Sequence, residues 1–258
     1  MNADLILDRL NDLPGHIGFY YQNFITGVSF ALHEEELFES ASVIKLPMFA
    51  AIQKWHAEGS ADLKEMLTFT EDDKYPSCGA LQFFPTPMDV DVETLCKLMI
   101  TLSDNTATNL LLRRFGMDAF NAEFRRMGLQ KSRIERYLFD AEASSRGLEN
   151  RVTPKDMGLL LEQIYRRTFV NETVSAYMEN VLLRQQIKHK IRGYLPKSIP
   201  AAHKTGEDSG ITNDVGIVYG EKPFIVCWLT NHTDVPEAER AIREITLQLA
   251  MNSHSQLQ

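Results

Sequence analysis

Apolar residues recur at two different spacings along the 258 residues of the chain. Near the N-terminus a short helical pattern precedes two apolar and aromatic runs around a turn at residues 22–27, which is typical of a β-hairpin between residues 15 and 32. Three further apolar runs near the other end, separated by glycine- or proline-containing turns, predict strands at residues 201–204, 213–219 and 224–230. A helical pattern over residues 237–251 follows them.

Between these two zones apolar residues lie three and four positions apart, which predicts helices. The predicted helices cover residues 43–56, 92–102, 106–115, 117–127, 154–167 and 174–183. We therefore predict an α/β (α+β) fold, in which an antiparallel sheet from both chain ends is flanked by terminal helices and a mostly helical middle portion packs beside it. The expected organisation is a single domain over 1–258, with an α/β part at 1–40 and 190–258, a helical part at 41–189, and a cleft at their junction.

Charge and cysteine content exclude several classes of function. The chain carries 35 acidic and 27 basic side chains, a net charge of −8, which disfavours binding to nucleic acid or to anionic membrane surfaces. Cys78, Cys96 and Cys227 form no paired spacing, so neither a disulfide framework nor a zinc knuckle is indicated. The seven histidines show no metal-ligand spacing, and no carboxylate–histidine pair suggests a Ser-His-Asp triad. We expect no metal and no cofactor.

Targeting signals are also lacking in the printed sequence. Acidic residues interrupt the apolar ones in the first ten positions, unlike a signal peptide, and no run of about eighteen apolar residues could span a membrane. For the chain as given we expect a cytoplasmic location. A secreted protein whose leader had been removed would show the same pattern.

Three short motifs carry candidate chemistry. Ser42 and Lys45 stand three apart at the start of a predicted helix, which places a hydroxyl and an amine on one face. Ser-Asp-Asn at residues 103–105 lies between two predicted helices, and Lys-Thr-Gly at residues 204–206 ends a predicted strand at a glycine-rich turn. Each alone is explained by a helix cap or a turn, but all three in this order indicate one site.

The residue types suit acyl transfer. A serine hydroxyl needs a base within hydrogen-bond reach and donors for the developing oxyanion. Lys45, beside that hydroxyl and near other cations, can have its pKa lowered enough to act as the base. Ser103 can relay a proton to the leaving nitrogen, and Asn105 can fix side chains or a substrate amide. Lys204, together with the Thr205 hydroxyl, can orient a substrate carboxylate.

These three motifs form the signature of class A β-lactamases and penicillin-binding proteins, and the segment at residues 102–112 resembles the β-lactamase segment almost letter for letter. The resemblance covers essentially the whole chain. It implies a β-lactamase/transpeptidase-like fold, a β-lactam or a peptide or ester as substrate, and hydrolysis through an acyl-enzyme at Ser42. It also implies an oxyanion hole made by the backbone N–H groups of Ser42 and of Glu207, which follows Gly206. We expect a monomer.

One loop departs from the family pattern. Class A β-lactamases have an Arg-aromatic-Glu unit whose glutamate activates the deacylating water, and an ungapped register places Arg136 and Tyr137 on the first two positions and Leu138 on the glutamate. Asn150 falls where the family has the aspartate that pairs with the arginine, so we predict a clamp weakened from an ion pair to a hydrogen bond. Slow deacylation follows from the missing base.

Nearby glutamates could take over the missing role if the loop follows another path. The candidates are Glu135, Glu142 and Glu149, although each is more simply explained as a solvated loop charge.

Two other functions remain open. The first is a peptidase, esterase or amidase that is merely acylated by penicillins. The second is a non-catalytic sensor in which acylation of Ser42 is the signal, which is disfavoured because the sequence shows no membrane tether or partner domain.

Overall fold

The computed structural model describes residues 3–251, and a five-stranded antiparallel sheet organises them. In spatial order its strands are β2 (Ser29–Leu32), β1 (His16–Asn23), β9 (Phe224–Asn231), β8 (Ile211–Val218) and β7 (Ala201–Asp208). The N-terminal hairpin therefore joins the C-terminal strands through the β1–β9 pair, in which Tyr20 lies opposite Cys227. The predicted sheet from both chain ends is confirmed.

Helices occupy most of the remaining chain. They are α1 (Ala3–Asn11), α2 (Lys45–Ala57), α3 (Val92–Thr101), α4 (Asn105–Phe115), α5 (Met117–Arg126), α6 (Ala141–Ser145), α7 (Pro154–Tyr165), α8 (Glu172–Leu183) and α9 (Val235–Met251). Among residues 3–251 no helix has the length and apolarity needed to cross a membrane.

Two small ribbons in the middle portion were not predicted. They pair β3 (Phe38–Glu39) with β6 (Arg151–Val152), and β4 (Met66–Phe69) with β5 (Met88–Asp91). Strands of two to four residues are too short to show a clear alternation of apolar and polar positions. The β3–β6 ribbon matters for the site, because β3 leads directly into the segment that carries Ser42.

The two faces of the sheet bury separate apolar clusters. One cluster packs α1 and α9 against residues such as Phe19 and Trp228. The other packs the helical portion against the alternate residues of the same strands, including Val215 and Cys227. Alternate side chains of a strand point to opposite faces, so a sheet covered on both sides reads as continuous apolar runs. Helix α2 is buried from Lys45 to Gln53, which fixes the start of this helix in the interior.

Candidate active site

Ser42 lies in a short 3-10 helix, Ala41–Ile44, between β3 and α2. We had predicted that it would stand at the start of the α-helix itself. Its side chain is half-exposed and lines a cleft of about 550 Å³ at the junction of the sheet and the helical portion. The cleft agrees with the predicted position. A serine at the start of a buried helix thus faces open space that a small substrate can enter.

Strand β7 packs closely against the backbone of this serine. A Cβ on Gly206 would lie 2.9 Å from the Ser40 carbonyl oxygen and 3.0 Å from the Ser42 nitrogen, so only glycine fits without displacement. The Lys-Thr-Gly triplet was expected to end its strand at a turn, and this was wrong, since β7 continues to Asp208. The strand pairs with β8 throughout, and this pairing keeps the triplet straight beside Ser42.

Lys45 is fully buried and reaches the second motif. Its Nζ lies 2.7 Å from the Ser103 carbonyl oxygen, 3.1 Å from Ser103 Oγ and 2.8 Å from Asn105 Oδ1. Burial, with a smaller contribution from the charge of Lys204, lowers the pKa of Lys45 well below its usual value. A lysine whose pKa is lowered in this way is a better proton acceptor, as the sequence suggested.

The Ser42 hydroxyl makes no hydrogen bond within the described residues. Lys45 is bonded to Ser103 and Asn105 instead. Catalytic hydrogen bonds are often long in enzymes without substrate and tighten in the complex, so this arrangement is compatible with transfer from Ser42 to Lys45.

Ser103 joins the two lysines of the site. Its Oγ lies 3.1 Å from Lys45 Nζ and 3.1 Å from Lys204 Nζ. The residue adopts a left-handed backbone with φ of 54°, which is uncommon outside glycine and is typical of functional sites. A hydroxyl between two amines can receive a proton from one side and deliver it to the other, which suits a proton relay.

Asp104 has a larger role than the helix cap that the sequence suggested. Its Oδ1 accepts from the Ala107 nitrogen at 2.9 Å and caps α4. Its Oδ2 accepts from the backbone nitrogens of Ala80 at 2.7 Å and Leu81 at 2.9 Å. Asn105 reaches the same region, since its Nδ2 donates to the Pro76 carbonyl at 2.9 Å. The Ser-Asp-Asn triplet therefore fixes the loop at residues 76–81, which forms one wall of the cleft.

The cations of β7 lie in the interior. Lys204 is fully buried, and burial lowers its pKa to about 7, against the opposing effect of Asp214. Its Nζ donates to the Thr205 carbonyl at 2.7 Å. Thr205 is also buried, whereas the side chain of Glu207 is 44% exposed at the rim of the cleft. Strand β7 therefore runs from the buried Lys204 to Glu207 at the open cleft, a span of four residues.

A third buried lysine supports this strand and was missed from the sequence. Lys190 Nζ donates to the carbonyl oxygens of Gly206 at 2.9 Å and Asn213 at 3.2 Å, and it pairs with Glu207 at 3.2 Å. Nothing in its local sequence marks it, because its partners lie on β7 and β8 and are brought to it only by folding.

A buried histidine–carboxylate pair is also present, which the sequence did not single out; the expectation concerned only a Ser-His-Asp triad. His203 Nδ1 lies 2.9 Å from Asp214 Oδ1, and Asp214 Oδ2 accepts from the Ile191 nitrogen at 3.0 Å. The two residues are eleven positions apart and meet across the β7–β8 hairpin. His203 Nε2 is buried and has no hydrogen-bond partner among residues 3–251, so the pair does not act on Ser42 as a catalytic triad would.

In the loop between α5 and α7, the prediction that Arg136 has lost its ion pair was wrong. Arg136 does form an ion pair, because its guanidinium lies 2.7 Å from the Glu149 carboxylate and both side chains are largely buried. Asn150 contacts the backbone of the loop instead of the guanidinium. Its Oδ1 accepts from the backbone nitrogens of Glu135 at 2.9 Å and Arg136 at 3.1 Å. The ion pair is therefore kept with a partner one residue earlier than the ungapped register indicated.

Leu138 lines the cleft together with Ser42 and Asn105. Its backbone is held on both sides by Asn109, whose Oδ1 accepts from the Leu138 nitrogen at 3.0 Å and whose Nδ2 donates to the Leu138 carbonyl at 3.0 Å. The position where we predicted a missing glutamate thus faces the same space as the candidate nucleophile.

The loop glutamates are not all brought to the cleft. Glu135 pairs with Arg133 at 3.0 Å, and Glu142 is 83% exposed beside Arg146. Neither lines the cleft, whereas Glu149 does. Glu149 is engaged with Arg136 and also accepts from Ser144 Oγ at 2.6 Å. The one candidate that faces the cleft is therefore already bonded on both oxygens.

Comparison with known proteins places this geometry in a family. The model of the β-lactamase enzyme family matches residues 3–252, and the chain therefore belongs to that family. The β-lactamase of Streptomyces albus G is 27% identical over 232 residues, which cover 84% of this chain and 73% of that protein.

Solved structures show the same architecture. PBP-A superposes with a TM-score of 0.88 at 25% identity, covering 97% of this chain and 94% of PBP-A. A leucine-to-glutamate variant of PBP-A, solved as an acyl-enzyme complex with penicillin G, gives a TM-score of 0.87 at 25% identity over 97% of this chain and 95% of the other. An ancestral class A β-lactamase shares the fold, with a TM-score of 0.84 and 22% identity. The match covers 97% of this chain and 99% of the other.

Proposed function

We propose that this protein is a serine hydrolase that opens the β-lactam amide through an acyl-enzyme at Ser42 and releases the product slowly. The observation that carries the second half of this proposal is Leu138, an apolar side chain in the cleft beside Ser42. Membership of the β-lactamase enzyme family supports the first half.

Proton transfer during acylation uses Lys45 and Ser103. Lys45, whose pKa is lowered by burial, accepts the proton of the Ser42 hydroxyl while the oxygen attacks the lactam carbonyl carbon. The backbone N–H groups of Ser42 and Glu207 donate to the oxyanion that forms. When the C–N bond breaks, Ser103 protonates the leaving nitrogen, and Lys45 Nζ at 3.1 Å returns a proton to Ser103.

Substrate binding draws on β7. Lys204 keeps a positive charge under the cleft below its pKa of about 7, and together with Thr205 it attracts the carboxylate that penicillins carry. Asn105, held by Lys45 and Pro76, is available to orient the substrate amide.

Deacylation needs a water molecule and a base to activate it. Leu138 has no group that can accept a proton. Two carboxylates of the same loop line the cleft, but Glu149 is paired with Arg136, and Asp140 caps α6 by accepting from the Ala143 nitrogen at 2.9 Å. Because acylation and deacylation rely on different proton acceptors, the first can proceed while the second is slow.

A second candidate is a penicillin-recognising peptidase or esterase. The same observation favours it, because an enzyme that releases β-lactam acyl groups slowly can still turn over a substrate whose acyl group is released by another route. The structural likeness to PBP-A supports this reading.

Intact-protein mass spectrometry tests the proposal. After the protein is mixed with penicillin G, we expect its mass to rise by one penicillin per chain. This adduct should last much longer than the turnover time of an ordinary β-lactamase, and Ser42→Ala should form no adduct. An adduct that survives Ser42→Ala, or the absence of any adduct or hydrolysis in the wild type, would contradict the proposal. Ester and peptide substrates, assayed with the same pair of proteins, separate the second candidate from the first.

A further inference from the structure

We propose that His16, His33 and Glu36 form a binding site for one zinc ion. These residues lie at the start of β1 and in the connection from β2 to β3, away from the catalytic cleft. One ligand atom from each of them falls within 4.8 Å of the others. The inference is independent of the proposed function.

The local chain geometry brings the three side chains together. His33 has a left-handed backbone with φ of 49°, and the Glu36 nitrogen donates to the His33 carbonyl at 3.1 Å in a tight turn. This turn places the two side chains beside His16, whose Nε2 lies 2.9 Å from Glu36 Oε2. The sequence did not reveal the cluster, because His16 and His33 are separated by most of a hairpin.

One histidine is already oriented for metal binding. His33 Nδ1 lies 2.8 Å from the carbonyl oxygen of Ile17, which can only accept, so Nδ1 carries the proton and Nε2 keeps its lone pair. A backbone carbonyl that holds the second nitrogen of a ligand histidine in this way is typical of zinc sites.

The other histidine is held by ring stacking. His16 stacks on Phe38 with centroids 4.7 Å apart and on His33 with centroids 4.8 Å apart. Phe38 is fully buried, so it provides a rigid base for the His16 ring. The cluster therefore has two oriented rings, one half-buried and one exposed, and an exposed carboxylate that can adjust.

Two imidazoles and one carboxylate suit zinc better than calcium or magnesium, which prefer oxygen ligands. Zinc takes nitrogen and oxygen ligands at about 2.0–2.2 Å in a tetrahedron, so its ligand atoms stand about 3.3 Å apart. The three ligand atoms now lie within 4.8 Å of one another, and zinc binding would bring them to this spacing. Three protein ligands leave the fourth position to water.

A zinc ion here would connect two parts of the chain. It would join the first residue of β1 to the turn before β3, the strand that leads to Ser42. Binding to the folded chain alone would raise its stability, since a preformed site is absent from the unfolded chain.

The test uses the tag-free chain, stripped with a chelator and dialysed, and titrated with zinc alone by calorimetry. We expect one zinc ion per chain and, at one hundred times the dissociation constant, a rise in Tm of about 5–10 °C. Magnesium at the same concentration should cause no rise. His33→Asn and Glu36→Gln should each weaken binding by about tenfold or more.

His232→Asn is the matched control, because His232 is also exposed and also left-handed, with φ of 53°. This variant should bind zinc like the wild type. The proposal fails if the wild type binds less than half an equivalent, if His33→Asn and Glu36→Gln bind like the wild type, or if His232→Asn is weakened equally. Should His33→Asn fold poorly by circular dichroism, Glu36→Gln, changed only at an exposed side chain, decides the outcome.

Discussion

Replacement of Leu138 by glutamate should convert a slow acyl-enzyme into a faster hydrolase. The side chain at this position faces the cleft beside Ser42, and both polar groups of its backbone are held by Asn109 at 3.0 Å. These two hydrogen bonds do not depend on the side chain, so the loop should keep its path in Leu138→Glu. The new carboxylate would then face the space in which the acyl group is attacked by water.

The magnitude follows from two competing effects. Leu138 is half-exposed, so losing its apolar contacts should cost about 1 kcal/mol of stability, roughly half of full leucine burial. A positioned general base accelerates a step by about 10²- to 10⁴-fold. Because the loop has not been shaped around this base, we expect the lower end, about 100-fold, equivalent to about 2.7 kcal/mol of barrier.

The assay is the lifetime of the acyl-enzyme. Each protein is acylated with penicillin G, freed of excess ligand by rapid desalting, and followed by intact mass until the adduct disappears. Leu138→Gln is the matched control, since it has nearly the same shape as the glutamate variant and no basic oxygen. Equal lifetimes in Leu138→Glu and Leu138→Gln would refute both the register of the loop and the role given to this position.

Three further predictions test other parts of the site. Since Lys204 loses its charge as pH rises through its pKa of about 7, kcat/KM for a carboxylate-bearing penicillin should fall above that pH. Lys204→Arg, which stays charged, should remove this decline in a pH–rate profile. Gly206→Ala should lower the free energy of unfolding by about 1–3 kcal/mol and slow acylation, because its Cβ would press on the backbone at Ser42. Denaturant unfolding measures the loss of stability, and the rate of adduct formation measures acylation. Glu149→Gln should lower the free energy of unfolding by about 1.5–3 kcal/mol, because it removes a charged hydrogen-bond partner of Arg136. The exposed Glu142→Gln is the control and should change this free energy by less than about 0.5 kcal/mol. Similar Tm values for the two variants would contradict the ion pair between Arg136 and Glu149.

The sequence was sufficient for the sheet and for the buried side chains that meet around Ser103. Ser42 and Lys45 are close because a helical turn separates them, and the motif order predicted that Ser103 and Lys204 would join them. The structure brings Ser103 Oγ within 3.1 Å of both lysine amines. Local spacing and motif order were enough here because the chemistry depends on a few side chains at fixed positions.

Contacts that depend on the register of distant strands could not be predicted. His203 and Asp214 meet only because β7 pairs with β8 in one particular register. The partner of Arg136 was misplaced by one residue, since an ungapped comparison cannot tell whether a loop presents Glu149 or the residue after it. A hairpin or loop must be folded before such pairs can be recognised.

The most direct test of the central claim, acylation at Ser42 without fast release, is the time course of a chromogenic cephalosporin in a stopped-flow instrument. We expect a burst of one opened ring per chain, followed by a much slower steady rate, with no burst in Ser42→Ala. Continuous rapid turnover without a burst would contradict this claim, because release would then be at least as fast as acylation.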